Sequence, residues 1–242
     1  MDYKELNFEK MQAIGAGSEG IVYKNQNEAI KLFHGSYDIK DKYKKIIILE
    51  SLNIDFLVKP KKFITKENKT IGYSMELIEN AKELNGVFKF KTLDEKIKSL
   101  KTLENNIKEL HKKHIVLVDC NLHNFLVKDN KIKHIDIDNY QVGDLPANVF
   151  PDYYHPYYSE KVTKNIDPNI DKFQMTLNAI ETLADAKFFK HFIRHYDKNR
   201  DYLEFFINSL KIDNKLKEFL LQQTSDSINK EYISDYLHLF KK

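Results

Sequence analysis

The sequence predicts an α+β fold, with a small β-rich segment followed by a helical one. Two patterns and one composition argument predict it. The first third reads as short strands around a single helix, bounded by turn residues. From about Thr92 the apolar residues recur every three or four positions, as on one face of a helix. With 242 residues, 42% of them apolar and 12% aromatic, the chain can bury a sizeable core and does not have the composition of a disordered one.

The elements follow in order. Met11 to Ile14 and Gly20 to Lys24 flank a glycine turn as a hairpin would, and Glu28 to Phe33 is a third short strand. Lys42 to Leu52 is helical in length, with Ile46, Leu49 and Leu52 near one face. Phe63 to Thr65 and Ile71 to Ile78 form a second hairpin about the polar turn Lys66-Glu67-Asn68-Lys69. The boundary falls near Glu79 to Asn85. Leu93, Ile97, Leu100, Leu103, Ile107 and Leu110 then define one buried helical stripe. Val116 to His134 is strand-rich and contains a hairpin (Phe125 to Val127, a turn at Asp129-Asn130-Lys131, then Ile132 to Ile135). Asp171 to Ala184 is a second amphipathic helix, with Phe173, Leu177, Ile180 and Leu183 apolar. Three shorter helices are expected at Tyr202 to Leu210, Asn214 to Gln222 and Lys230 to Phe240.

Composition excludes several classes of partner. The net charge is +3, and Lys and Glu are interspersed, which is a mixed surface and no nucleic-acid footprint. The longest apolar runs are far too short to span a bilayer, so no membrane is expected. The N-terminus carries no secretory h-region, and Cys120 is the only cysteine, so a cytoplasmic protein without an internal disulfide is expected.

Chemistry concentrates in two segments. Gly15, Gly17 and Gly20 form a glycine turn between strands, where backbone N–H groups can approach phosphate oxygens without interference from a Cβ. Alone, G-x-G-x-x-G is a weak signal, but its place between two strands disfavours a dinucleotide fold. Lys31 ends Ala29-Ile30-Lys31 soon after that turn, on a strand from which it can neutralise phosphate charge. Asp119 and Asn124 have the spacing D-x-x-x-x-N, between an amphipathic helix and the apolar run Phe125-Leu126-Val127. Asp136 closes the later hairpin, and Asp138 lies two residues on, on the same face if the chain stays extended. Two carboxylates so close suggest a divalent cation; Asp138 as a helix or turn cap is the alternative.

In that order these segments resemble the phosphate-handling parts of the protein-kinase-like superfamily, over about Gly15 to Ala184. The resemblance is to divergent bacterial or viral serine/threonine kinases, with aminoglycoside-phosphotransferase-like enzymes second. It implies a bilobal fold in one domain, residues 1–242, with an N-lobe of about 1–79 and a C-lobe of about 80–242. It implies ATP as donor, bound by Gly15, Gly17, Ser18, Gly20, Val22, Ala29 and Lys31, by a hinge at Met75, Glu76 and Ile78, and by Asn121. It implies Mg²⁺ held by Asn124, Asp136 and Asp138, and catalysis by Asp119 with Lys31. Tyr157-Tyr158-Ser159-Glu160 stands where an activation segment would end, and Asp171 where an aspartate ties a long helix to the catalytic loop.

The departures are specific. The residues before Asp119 are Leu117 and Val118, so no arginine in this loop can receive an activating phosphate. Asn121 stands where a lysine is expected. Asp136-Ile137-Asp138 lacks the usual glycine. In the helix that should offer Lys31 a glutamate, Lys45 stands at the expected place, and the helix's glutamate, Glu50, lies more than a turn away. The function implied is an ATP- and Mg²⁺-dependent phosphotransferase acting on a protein Ser/Thr hydroxyl. A small-molecule acceptor, and a catalytically weak pseudokinase serving as a nucleotide-binding scaffold, are the other two readings.

Overall fold

The structure, a computed structural model, describes residues 1–35, 40–148, 166–184, 200–224 and 230–240. It is mixed α+β, and its chain divides into two compact units: Met1–Ala81 with Lys133–Asp138, and Lys82–Ile132 with Asn139–Lys242.

The first unit is built on a five-stranded antiparallel sheet of β1 (Gln12–Ala16), β2 (Gly20–Asn25), β3 (Glu28–Phe33), β4 (Pro60–Lys66) and β5 (Lys69–Glu76), in the order β1-β2-β3-β5-β4. β3 is therefore paired on both sides, Lys31 lying opposite Val22 on β2 and Tyr73 on β5. Close pairing needs glycine at two places. A Cβ on Gly20 would stand 2.2 Å from the Leu32 carbonyl oxygen, and one on Gly72 would stand 2.2 Å from that of Lys31. The β4–β5 turn places Glu67 and Asn68 both at positive φ, the backbone of a tight two-residue hairpin loop. Ala29, Ile46, Val58, Tyr73 and Met75 form one buried cluster of this unit.

Helix α1 (Lys40–Ser51) contradicts simple patterning. Ile46 and Leu49 face inward as expected, but Lys42 and Lys45 are buried beside them, at 1% and 0% exposure. Tyr43, Ile47 and Ile48 are on the exposed side.

The second unit opens with two elements absent from the sequence reading, β6 (Lys82–Glu83) and α2 (Leu84–Phe88). α3 (Leu93–His111) follows, started by a reciprocal capping box between Thr92 and Glu95. Its buried face holds Ile97, Leu100, Leu103, Ile107 and Leu110, while Leu93 stays exposed. β7 (Ile115–Val116) pairs with β10 (Gln141–Val142), whereas β8 (Phe125–Lys128) and β9 (Lys131–His134) make the expected hairpin, with Asp129 and Asn130 at positive φ. α4 (Asn169–Leu183), α5 (Arg200–Ser209) and α6 (Asn214–Thr224) are the remaining described α-helices. The expected helix over Lys230 to Phe240 is instead two short 3₁₀ turns, Ile233–Asp235 and Leu237–Phe240. Tyr157 to Glu160 lie outside the described residues. Among the described residues no helix is long and apolar enough to cross a membrane.

Candidate functional site

In the first unit the site begins with Lys31. Its strand is clamped between β2 and β5, so the ammonium is buried and needs counter-charge. Nζ donates to Asp136 Oδ1 at 3.2 Å and to Asp138 Oδ1 at 3.0 Å, with Glu19 Oε2 at 3.8 Å. Burial works to lower the pKa of Lys31, but Asp138, Asp136 and Glu19 outweigh it and hold the ammonium above the ordinary lysine value. Asp136 adopts φ 55°, a left-handed conformation that aspartate tolerates better than most residues. Its side chain is about a third exposed, and Lys31 occupies Oδ1, while Oδ2 has no hydrogen-bond partner among the described residues.

Asp138 does not stay on an extended chain beside Asp136. The backbone turns through a 3₁₀ element, Ile137–Asn139, and the Asp138 carboxylate is fully buried. Both of its oxygens are taken: Oδ1 accepts from Lys31 and, at 2.7 Å, from the Tyr73 hydroxyl, and Oδ2 accepts from Lys42 at 2.7 Å. Burial works to raise its pKa, and Lys31 and Lys42 override this and hold it below the usual carboxylate range. Burial and Asp138 push Tyr73 well above its ordinary value, which keeps the hydroxyl a donor. Asp138, expected as a metal ligand, thus has both carboxylate oxygens engaged by protein donors.

Lys42 bridges to the glycine turn, donating to Glu19 Oε2 at 2.8 Å. The other oxygen of Glu19, Oε1, is buried with no partner among the described residues. Lys45 lies in the same charged core; burial, then Lys42, pulls its pKa down to about 8. Glu50 is exposed on α1, and Lys31 bonds to Asp136 and Asp138 instead.

The glycine turn is closed by a bond from the Gly17 N–H to the Gly20 carbonyl at 3.0 Å, and His34 N–H donates to the Glu19 carbonyl at 2.8 Å. Gly15 and Gly17 have room for a Cβ, so close packing explains only Gly20 of the three. Of the expected adenine-pocket residues, Ala29 and Met75 are buried in the apolar cluster, with Val22 and Ile78 packed against it. Glu76 ends β5 opposite Glu28.

In the second unit, the loop around Asp119 is held by its main chain. α4 presents Asp171, Gln174 and Asn178 along one face. Asp171 accepts from the Leu117 and Val118 N–H groups at 2.8 and 2.9 Å. Gln174 accepts from Cys120 N–H at 2.6 Å and donates to the Val118 carbonyl, and Asn178 donates to the Cys120 carbonyl at 2.8 Å. This grip holds Val118 at φ 68°, a strained conformation for a β-branched residue. Behind it, His111 Nε2 meets Asp171 at 2.9 Å and His111 Nδ1 meets the Tyr232 hydroxyl at 2.7 Å. Burial, Glu104 and Asp171 push Tyr232 up to about 12.

Asp119 and Asn124 are brought together: Asn124 Nδ2 donates to the carbonyl and to Oδ2 of Asp119, both at 3.2 Å. Those bonds use the amide nitrogen, and the Asn124 carbonyl oxygen has no partner among the described residues. Asn121 caps the 3₁₀ turn Leu122–Asn124 by accepting from His123 N–H, which leaves its own NH₂ as a donor. Among the described residues no three His, Cys, Asp or Glu side chains gather as metal ligands.

No protein-family model matches the chain, and no curated protein does. Sequence reasoning missed Glu19, Lys42, Lys45, His111, Gln174 and Asn178. The lysines sit on the helical face of Ile46 and Leu49, and Gln174 and Asn178 repeat at the spacing of Asp171; those periods were the available signals.

Proposed function

We propose that the protein is an ATP- and Mg²⁺-dependent phosphotransferase of protein-kinase-like fold, transferring the γ-phosphoryl group to a protein Ser/Thr hydroxyl. The observation that carries this reading is the 3.2 Å ion pair between Lys31, on a central strand next to the glycine hairpin, and Asp136 at the end of a later hairpin. A strand lysine and an aspartate suited to a metal, side by side, are two of the parts that phosphoryl transfer uses. The main-chain-held loop presenting Asp119 and Asn124 supports it independently.

The roles divide by chemistry. The turn at Gly15, Gly17, Ser18 and Gly20, closed by its own Gly17-to-Gly20 bond, is the segment that would lie against phosphate, and Lys31 adds a fixed positive charge. Val22, Ala29 and Met75 offer an apolar face to the base, with backbone groups of Glu76 and Ile78 as its hydrogen-bonding partners. Asp119 orients the acceptor hydroxyl and takes its proton. Asn121 donates from its NH₂ toward phosphate. Asp136 and Asn124, each through a side-chain oxygen with no partner among the described residues, are hard donors of the kind Mg²⁺ takes. The ion, when bound, neutralises charge on phosphate oxygens.

Incubation with γ-labelled ATP and Mg²⁺, with and without cell lysate, tests the reading. Label on protein is the expected result; label only on small molecules moves the acceptor to that class. Neither label nor a rise in melting temperature at millimolar Mg-ATP rejects the proposal, because a ligand of the native state must stabilise it.

A further inference from the structure

We propose that Asp138 and Lys42 are positioning residues for Lys31, together standing in for a carboxylate that α1 does not bring to it. The functional consequence rests on the phosphotransferase reading; the ion-pair geometry does not.

Four side chains of one unit form a connected series. Lys31 needs a buried anion to hold its ammonium against β3, and Asp138 is the more buried of its two close partners. Asp138 in turn is fixed from the side of α1 by Lys42 at 2.7 Å and from β5 by Tyr73 at 2.7 Å. Lys42 also takes Glu19 at 2.8 Å, in the turn between β1 and β2. The connected series Glu19–Lys42–Asp138–Lys31 therefore ties the turn that would meet phosphate to the lysine that would meet it. The helix contributes a cation, and the acid comes from the segment that also carries Asp136. Asp136 has a spare oxygen and partial exposure; Asp138 has neither, so the two acids divide into a ligand-facing and a lysine-holding member. Removing Asp138 would leave Lys31, Lys42 and Lys45 facing Glu19 and Asp136, and the cations would repel one another.

Pulsed acetylation with acetic anhydride at pH 8, read lysine by lysine by mass spectrometry, tests this on the intact chain. In the wild-type protein Lys31 should label far more slowly than exposed lysines. Asp138→Asn should speed Lys31 labelling about tenfold or more, because the ammonium loses the buried carboxylate that holds it against β3 and away from solvent. Lys42→Arg should stay close to wild type, Lys42→Met should loosen Lys31, and Glu50→Gln should change nothing. Should Asp138→Asn alone fail to fold, the double variant Asp138→Asn with Lys42→Gln removes both partners of the buried pair and spares the fold. Lys31 remaining as protected as in wild type, in either folded variant, overturns the proposal, and so does Glu50→Gln exposing it. Mg-ATP affinity measured on the same samples should fall about tenfold with Asp138→Asn and be kept by Lys42→Arg. If the wild-type chain binds no Mg-ATP, the phosphotransferase reading fails, and the labelling still decides the assignment of Asp138 and Lys42.

Discussion

Asp119 and Asp136 differ in what the protein already asks of them, and the difference predicts how their variants fail. Asp136 is paired with Lys31 and keeps one oxygen spare, whereas Asp119 is bonded by its neighbour Asn124. Asp136→Asn should weaken Mg-dependent nucleotide binding, measured by titration calorimetry. Asp119→Asn should leave that binding within a few-fold and cut transfer by roughly 10²-fold or more, the usual scale for a lost general base. Equal loss of binding in both would contradict the division. The pairing of Asp119 with Asn124 was legible in the sequence from their spacing, and the place of Asp136 from the hairpin that precedes it. Asp138 was not, since its role depends on a turn after Asp136 and on two lysines distant in sequence, Lys31 of β3 and Lys42 of α1.

At the scale of the element, the sheet and α4 make separate predictions. Gly20 and Gly72 border β3 where a methyl group would meet carbonyl oxygen at 2.2 Å. Gly20→Ala and Gly72→Ala should each destabilise the fold by about 1–3 kcal/mol, the range for overpacking, as read by urea denaturation. Gly17→Ala, with open space around it, should leave stability nearly unchanged. Gln174→Ala removes two bonds to the Asp119 loop and strands a buried N–H and carbonyl, which should cost about 1–3 kcal/mol. Transfer should slow more than nucleotide affinity falls. Strand and helix periods were readable wherever one face is apolar, as in α3. They misled in α1, where Lys42 and Lys45 turn inward because Asp138 and Glu19 are there to meet Lys42. They also failed at Lys230 to Phe240, where apolar spacing suits a helix but the chain settles into two short turns.

For the whole molecule, buried charge sets how stability responds to pH. Lys45 is lowered to about 8 by burial and Lys42, so between that pH and its unfolded value the unfolded chain binds the extra proton. Stability should therefore rise as pH goes from about 8 to about 10.5, by about 3 kcal/mol at 1.36 kcal/mol per pH unit. Lys31 has the opposite sign: its pair is fully formed below the ordinary lysine pKa and is lost as pH climbs through the raised one. On the acid side, burial lowers His134 to about 3, so stability should fall as pH drops below about 6.5. Asp138 adds a further loss below the ordinary carboxylate pKa. Melting temperatures across pH 4–11 should show both limbs. Lys45→Met should flatten the alkaline rise, and His134→Gln the acid fall. Composition had indicated only a mixed, near-neutral surface; a charge balance hidden inside the fold leaves no mark on net charge.

The grip of α4 on the Asp119 loop has one more consequence. Asp171, Gln174 and Asn178 hold N–H and carbonyl groups, which every residue but proline carries in full. The shape of residues 117–120 is thus written in the helix and not in the loop's own side chains. The side chains at positions 117 and 118 can therefore change while the outline of the loop endures. Its ancestry is better sought in three spaced polar residues some fifty positions downstream than in the loop itself.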